Sequence, residues 1–173
     1  AGAARLPSLA LAWQELSGAR RAAYDMPWSH AVLRALELEQ YRALPAHEPG
    51  WIARRIGIEP EVEAECLALL EQSGQVARAG GHFMVANVRT VDTRQEPEAS
   101  HRLKLWWSRV GTERLAQQAE GMFSYNLFTV SESDYQRLCE LHSNYFRQMR
   151  AIIARSEPAE RVVLANVQLF GLD

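Results

Sequence analysis

Lysine is nearly missing from this chain: Lys104 stands alone, and every other base among the 19 is arginine. That bias reads as the codon usage of a GC-rich genome rather than as an arginine-specific ligand site. Cysteine is scarce as well. Cys66 and Cys139 are the only two, both inside helix-like patterns, so they read as small core hydrophobes and not as a disulfide framework. Seven prolines and ten glycines are too few for a collagen-like or low-complexity chain. Apolar runs such as Leu9–Trp13 fall far short of the ~20 residues that span a bilayer, so no membrane association is expected. The start, Ala-Gly-Ala-Ala-Arg, lacks a basic region followed by an apolar core, which argues against a signal peptide, and the two cysteines suit a reducing, cytoplasmic location. It also lacks a methionine, so the chain is expected to be a processed or excised part of a longer protein.

What is present suits one ordinary domain or two small ones: 173 residues, 47% of them hydrophobic. A chain of this length buries roughly 70% of its unfolded surface and needs no metal or disulfide staple. Charge is informative by region. Residues 1–58 hold seven bases and five acids, residues 78–114 seven and four, and residues 115–173 five and seven. Between them, residues 59–77 carry Glu59, Glu61, Glu63, Glu65 and Glu71 without one base. The net charge of −2 therefore hides one sharply acidic helix.

Periodicity predicts a lead-in helix from Leu9 to Tyr24, and a helix N-capped by Ser29 that runs to about Ala43. A short helix with Trp51, Ile52 and Ile56 facing inward follows, ending at Gly57. Pro60 opens the acidic helix, whose expected stripe is Val62, Cys66, Leu69 and Leu70, closed by Ser73-Gly74. Gln75–Ala77 and His82–Ala86 read as a hairpin around Gly80-Gly81. Helix, turn, helix and hairpin make a winged helix-turn-helix layout, and Trp51–Val76 is similar to the core of many bacterial winged-helix domains. Beyond a polar stretch, Thr90–Ala99, with room for one short strand, helix resumes near Ser100. Phe123–Val130 alternates as a strand, Ser131 and Asp134 form an approximate capping box, and a long amphipathic helix follows. Its stripe is Tyr135, Leu138, Leu141, His142, Tyr145, Met149, Ile152 and Ile153, and Arg161–Phe170 closes the chain as a strand. The expected fold class is α+β: a winged helix-turn-helix-like half, then an α-β-α-β unit with a long crossover helix. The expected division is a lead-in over 1–28, a winged-helix-like domain over 29–92, and an α/β regulatory or dimerisation unit over 93–173.

Four stretches, Trp28–Leu36, Ile52–Val76, Leu127–Asp134 and the distinctive ending Val163–Phe170, carry a likeness that holds from about residue 20 to residue 173. Through them the chain resembles the C-terminal domain of unknown function of a paralogous family of predicted bacterial transcriptional regulators. The resemblance implies a Cro/lambda-repressor-like helix-turn-helix upstream, outside the present sequence, and a regulatory or assembly role for this domain.

Candidate sites are few. Arg54, Arg55, Arg78 and His82 could touch a DNA backbone from the flanks of the winged-helix-like half. The acidic helix itself argues against reading DNA, because affinity for a phosphate-lined groove rests on Lys and Arg. Glu61, Glu63 and Glu65 instead suggest a face toward protein or water, and Trp106 and Trp107, which cannot both face one core from one helix, suggest a further contact. His30, His47, His82, His101 and His142 are scattered without ligand spacing, so no metal or cofactor is expected. Neither cysteine has a CxxC partner, and no phosphate loop or hydrolase elbow appears, so no enzyme activity is expected. The expected protein is a homodimeric, non-enzymatic regulatory domain that meets DNA through an upstream domain. Two alternatives stay open: a directly DNA-binding winged-helix protein, and an effector sensor with a small-molecule or peptide pocket between the halves.

Overall fold

Proline fixes its own φ, and Pro27 uses that to lead the chain into helix α1 (Trp28–Ala35). The computed structural model describes residues 22–86 and 96–173. The expected lead-in helix falls outside them apart from its end, where residues 22–25 are helical, and most of the Thr90–Ala99 stretch falls outside as well. The described residues form two compact units. One extends to residue 106 and includes 159–163, and the other holds 107–158 and 164–173. The fold is mixed, mostly helix with one small sheet, roughly α+β.

The expected single helix from Ser29 to Ala43 is instead α1 and a short α2 (Glu39–Arg42). Ser29 is buried, and its hydroxyl donates to the Ala22 carbonyl at 3.1 Å, so it does not cap the helix start. The break has a packing reason. Leu38 adopts an extended conformation (φ −61°, ψ 136°), and both Leu36 and Leu38 thereby reach the core.

Helix α3 (Trp51–Ile56) lies between Gly50 and Gly57, both left-handed. Helix α4 (Pro60–Gln72) starts on proline at its first turn, and past its end the Gln75 amide returns to the Leu70 carbonyl at 3.0 Å. Its buried residues are Glu63, Cys66, Leu67 and Leu70. That spacing is a helical face, but rotated from the expected stripe: Leu67 replaces Leu69, and a glutamate leads it. Strands β1 (Val76–Ala79) and β2 (His82–Val85) pair antiparallel with Val76 opposite Val85 and Ala79 opposite His82. Gly80 and Gly81, at φ +57° and +81°, make the two-residue turn, a conformation that side chains resist.

These elements enclose one core of Val32, Leu36, Leu38, Tyr41, Ile52, Cys66, Leu70, Val76 and Phe83, among others. Helix α1 packs on α3 and α4, and α4 on β1. The late segment returns to this unit: Ala159 accepts from the Glu39 amide at 2.8 Å, and Val162 packs on the core.

In the other unit lie the last part of helix α5 (Pro97–Ala116), which runs unbroken through Gly111, and the whole of α6 (Glu132–Ile153). Ser131 caps α6 as expected, its Oγ accepting from the Asp134 amide at 3.2 Å. The two expected strands are not there. Phe123–Val130 and Arg161–Phe170 form no ladder, and β1–β2 is the one sheet among the described residues. A strand exists only where a neighbour accepts its hydrogen bonds, and alternation alone does not supply one. The expected α-β-α-β unit is therefore helices joined by irregular chain.

The rotated stripe on α4 has a direct consequence for stability. Leu70→Ala opens a cavity in the core and is expected to cost about 2–5 kcal/mol, while Leu69→Ala, half-buried, costs clearly less. Urea midpoints of the two variants check this; equal losses would contradict the assignment.

Candidate functional site

A buried polar cluster links four elements of the first unit. It is built around Glu63, which is 1% exposed. The Gly50 amide donates to its Oε1 at 3.0 Å, and the Ala53 amide donates to its Oε2. These are the N-cap and a first-turn amide of α3, groups that a helix leaves without partners and that carry the positive end of its dipole. Gly50 has no side chain to offer them, so a carboxylate from the next helix does. His47 stands on the other side of the carboxylate, its Nε2 3.7 Å from Oε1. Its Nδ1 lies 3.2 Å from the Tyr41 hydroxyl, which accepts from the Phe83 amide on β2 at 3.3 Å. With the imidazole proton on Nε2, Nδ1 is free to accept from the Tyr41 hydroxyl. The Phe83 ring meets His47 edge-on at 4.8 Å. Burial holds the His47 pKa below its ordinary value, with Arg78 and His82 acting the same way and Glu63 opposing. Burial likewise raises Tyr41 above the usual phenol value. The arrangement holds helix α3, helix α4 and the hairpin together through neutral and backbone-matched groups.

The flanking bases are all occupied by their own chain. Arg54 pairs with Glu48 at 2.6 Å, Arg55 donates to the Glu160 carbonyl at 3.1 Å, and Arg78 pairs with Glu71 at 3.1 Å while lying over the Phe83 ring. His82 reaches the Leu44 carbonyl at 2.8 Å. Of the three glutamates expected on one outward face, Glu61 and Glu65 are exposed and Glu63 is not. Trp106 meets Trp28 edge-on at 5.2 Å, and Trp107 is half-buried. Cys66 is fully buried, and that burial pushes its thiol up to about 12, which leaves it unreactive at neutral pH. Among the described residues no three His, Cys, Asp or Glu side chains come close enough to hold a metal ion, and no helix is long and apolar enough to cross a membrane.

A family model, that of the domain of unknown function DUF4423, matches residues 9–172. The chain belongs to this family. No curated protein and no solved structure matches it.

Within this DUF4423 domain, Glu63, His47 and Tyr41 are the residues that sequence reasoning missed. A signal for Glu63 was present: it begins the spacing Glu63, Cys66, Leu67, Leu70, which only a helix with a polar first position on its buried face would show. No such signal exists for His47, which lies in a loop with neither periodicity nor motif.

Two outcomes follow from the cluster. Glu63→Gln replaces one acceptor by an amide that opposes a backbone N–H, and is expected to lower stability by about 1–3 kcal/mol. Glu61→Gln and Glu65→Gln, exposed, should stay within about 0.5 kcal/mol in the same denaturation assay. The pH dependence has a definite sign. His47 and His30, both lowered by burial, are native in the neutral form, so the unfolded chain takes up protons first below about 6.5. Their contribution is intact above that pH and is lost as pH falls toward the lowered native values. Melting midpoints should therefore drop between about pH 7 and pH 5, and less steeply in His47→Gln.

Proposed function

We propose that this chain is the non-enzymatic regulatory and self-association domain of a cytoplasmic bacterial transcriptional regulator, with a winged helix-turn-helix-like first half and DNA read by a domain upstream. The observation that carries the reading is helix α6. It has 22 residues, an apolar stripe from Tyr135 to Ile153 and no fully buried residue, and Leu141, Tyr145, Ile152 and Ile153 of that stripe are exposed and available to a partner. Electrostatics support the rest. In a winged-helix arrangement α4 would be the groove-reading helix, yet Glu59, Glu61 and Glu65 are exposed at its start, and the nearby arginines Arg54 and Arg78 are already paired with glutamates. Each exposed carboxylate would meet phosphate repulsion that falls off only over about 8–10 Å at physiological salt.

Two measurements test the reading. By light scattering at tens of micromolar the chain should be a dimer, and a strict monomer would remove the self-association claim. In the full-length regulator, Glu61→Gln with Glu65→Gln should leave operator affinity within about twofold, a few tenths of a kcal/mol. A marked tightening would place α4 against DNA and favour the directly DNA-binding alternative. Glu63 is left intact in that variant, since its replacement destabilises the first unit.

A further inference from the structure

Two stretches of the second unit have an unusual composition. Met122–Val130 and Leu164–Leu172 are nine residues each and contain neither a charged side chain nor a proline. The first is rich in the aromatic and β-branched residues that favour strands, with Phe123, Tyr125 and Leu127 on one side of a two-residue alternation, and the second is mostly apolar, with Val167 and Phe170 of those types. Neither forms a ladder within its own chain among the described residues. They are nonetheless open to solvent: Tyr125 is 96% exposed, Leu127 77% and Phe170 64%. An uncharged strand-forming segment left uncovered is an aggregation hazard that natural chains blunt with charge or cover.

Part of the second stretch is already held ready. The Asn166 and Gln168 side chains both donate to the Ser108 hydroxyl of α5, at 3.1 and 2.9 Å. Side chains two apart that converge on one atom lie on the same side of the backbone, as they do in a strand. His142 of α6 approaches the Val167 carbonyl at 3.4 Å. The segment is thus fixed along one side by its own helices.

The amount of open apolar surface identifies the scale of what covers it. Taking roughly 100 Å² for a fully exposed aliphatic side chain and roughly 200 Å² for an aromatic one, the large apolar residues of this unit leave about 1,200 Å² in water. A standard stable interface takes about 800 Å² from each partner, so the open surface suffices for a complete one. A second copy brings the same two unpaired stretches and the same open helix face, which is the self-complementary condition for a two-fold dimer.

We propose that Met122–Val130 and Leu164–Leu172 take their strand partners from a second copy of this chain, forming a β-ladder between subunits with the apolar stripe of α6 covered beneath it. This rests on the self-association reading above and specifies its interface. The test is backbone hydrogen exchange on the whole chain, followed segment by segment at a concentration where it is dimeric and again after dilution to monomer. Amides of both stretches should be protected in the dimer and exchange freely after dilution, while those of the first unit's core stay protected throughout. Leu127→Lys with Val167→Lys should weaken dimerisation by roughly 100-fold or more, since each places a charge in a desolvated interface, without moving the first unit's unfolding midpoint. A dimer in which both stretches exchange freely would overturn the ladder and leave self-association standing. A strict monomer would overturn both. Protection that survives dilution would overturn the ladder by showing that the stretches pair within one chain.

Discussion

The first unit depends on one carboxylate. Helix α3 is six residues long, far below the length at which a helix is stable by itself, and it starts at a glycine without a capping side chain. Glu63 corrects both weaknesses. It satisfies two of the helix's unpartnered amides and places a negative charge at the positive end of the dipole. Burying an isolated carboxylate costs several kcal/mol, and here the two amides and the nearby imidazole offset that cost. Because the carboxylate comes from α4, the position of α3 is set by α4. His47 stands beside the same carboxylate, its Nε2 3.7 Å from Oε1, and Tyr41 joins His47 to the Phe83 amide of the hairpin. A short helix that could not hold itself is held by one residue of its neighbour.

That residue also marks where the sequence stops being legible. Periodicity, proline and glycine locate α3, α4 and the hairpin well, because Gly57, Pro60, Gly74, Gly80 and Gly81 act through backbone conformation, a local property. The Ser131 cap is local too, and it forms as expected. Ser29 shows the limit: its residue type suits a cap, but tertiary packing buries it and turns its hydroxyl to Ala22. Glu63 shows the same limit in reverse. Five acids in one stretch look like a solvated face, and the one local mark of Glu63, its helical spacing to Cys66, Leu67 and Leu70, competes with the equally helical and wholly apolar spacing Val62, Cys66, Leu69, Leu70. Its partners are 13 and 10 residues away, on backbone rather than on side chains that a motif could reveal. The unformed strands have the same origin, since alternation describes one strand and a sheet requires two.

The exposed charges take a different meaning once Glu63 is set aside. Four of the five acids in residues 59–77 remain outside, and Glu71 among them pairs with Arg78 on the hairpin. Arg54 is paired in the same way with Glu48. Such surface pairs contribute little to stability, typically below about 1 kcal/mol, so their main effect is on the field the surface presents. Around α4, Arg54 and Arg78 each have a carboxylate beside them and Arg55 a carbonyl to hold it, and the exposed start of α4 adds negative charge.

The contrast between the two units bears on what amphipathic patterns mean. In the first unit α1 and α4 each show a stripe, and each stripe is buried by its own chain. Helix α6 has a stripe at least as long, and none of it is fully buried: Tyr135, Leu138, His142 and Met149 are half-buried, while Leu141 is 62% and Ile152 68% exposed. The hydrophobic effect does not distinguish these cases: it rewards removal of apolar area from water whichever chain supplies the cover. Periodicity therefore identifies the face but not its partner. In the first unit the partner is supplied within about fifty residues of chain, so the stripe becomes core. In the second, among the described residues, it is not, and the same physics that makes Leu70 a core residue leaves Leu141 and Ile152 as apolar area in water that a cover would stabilise.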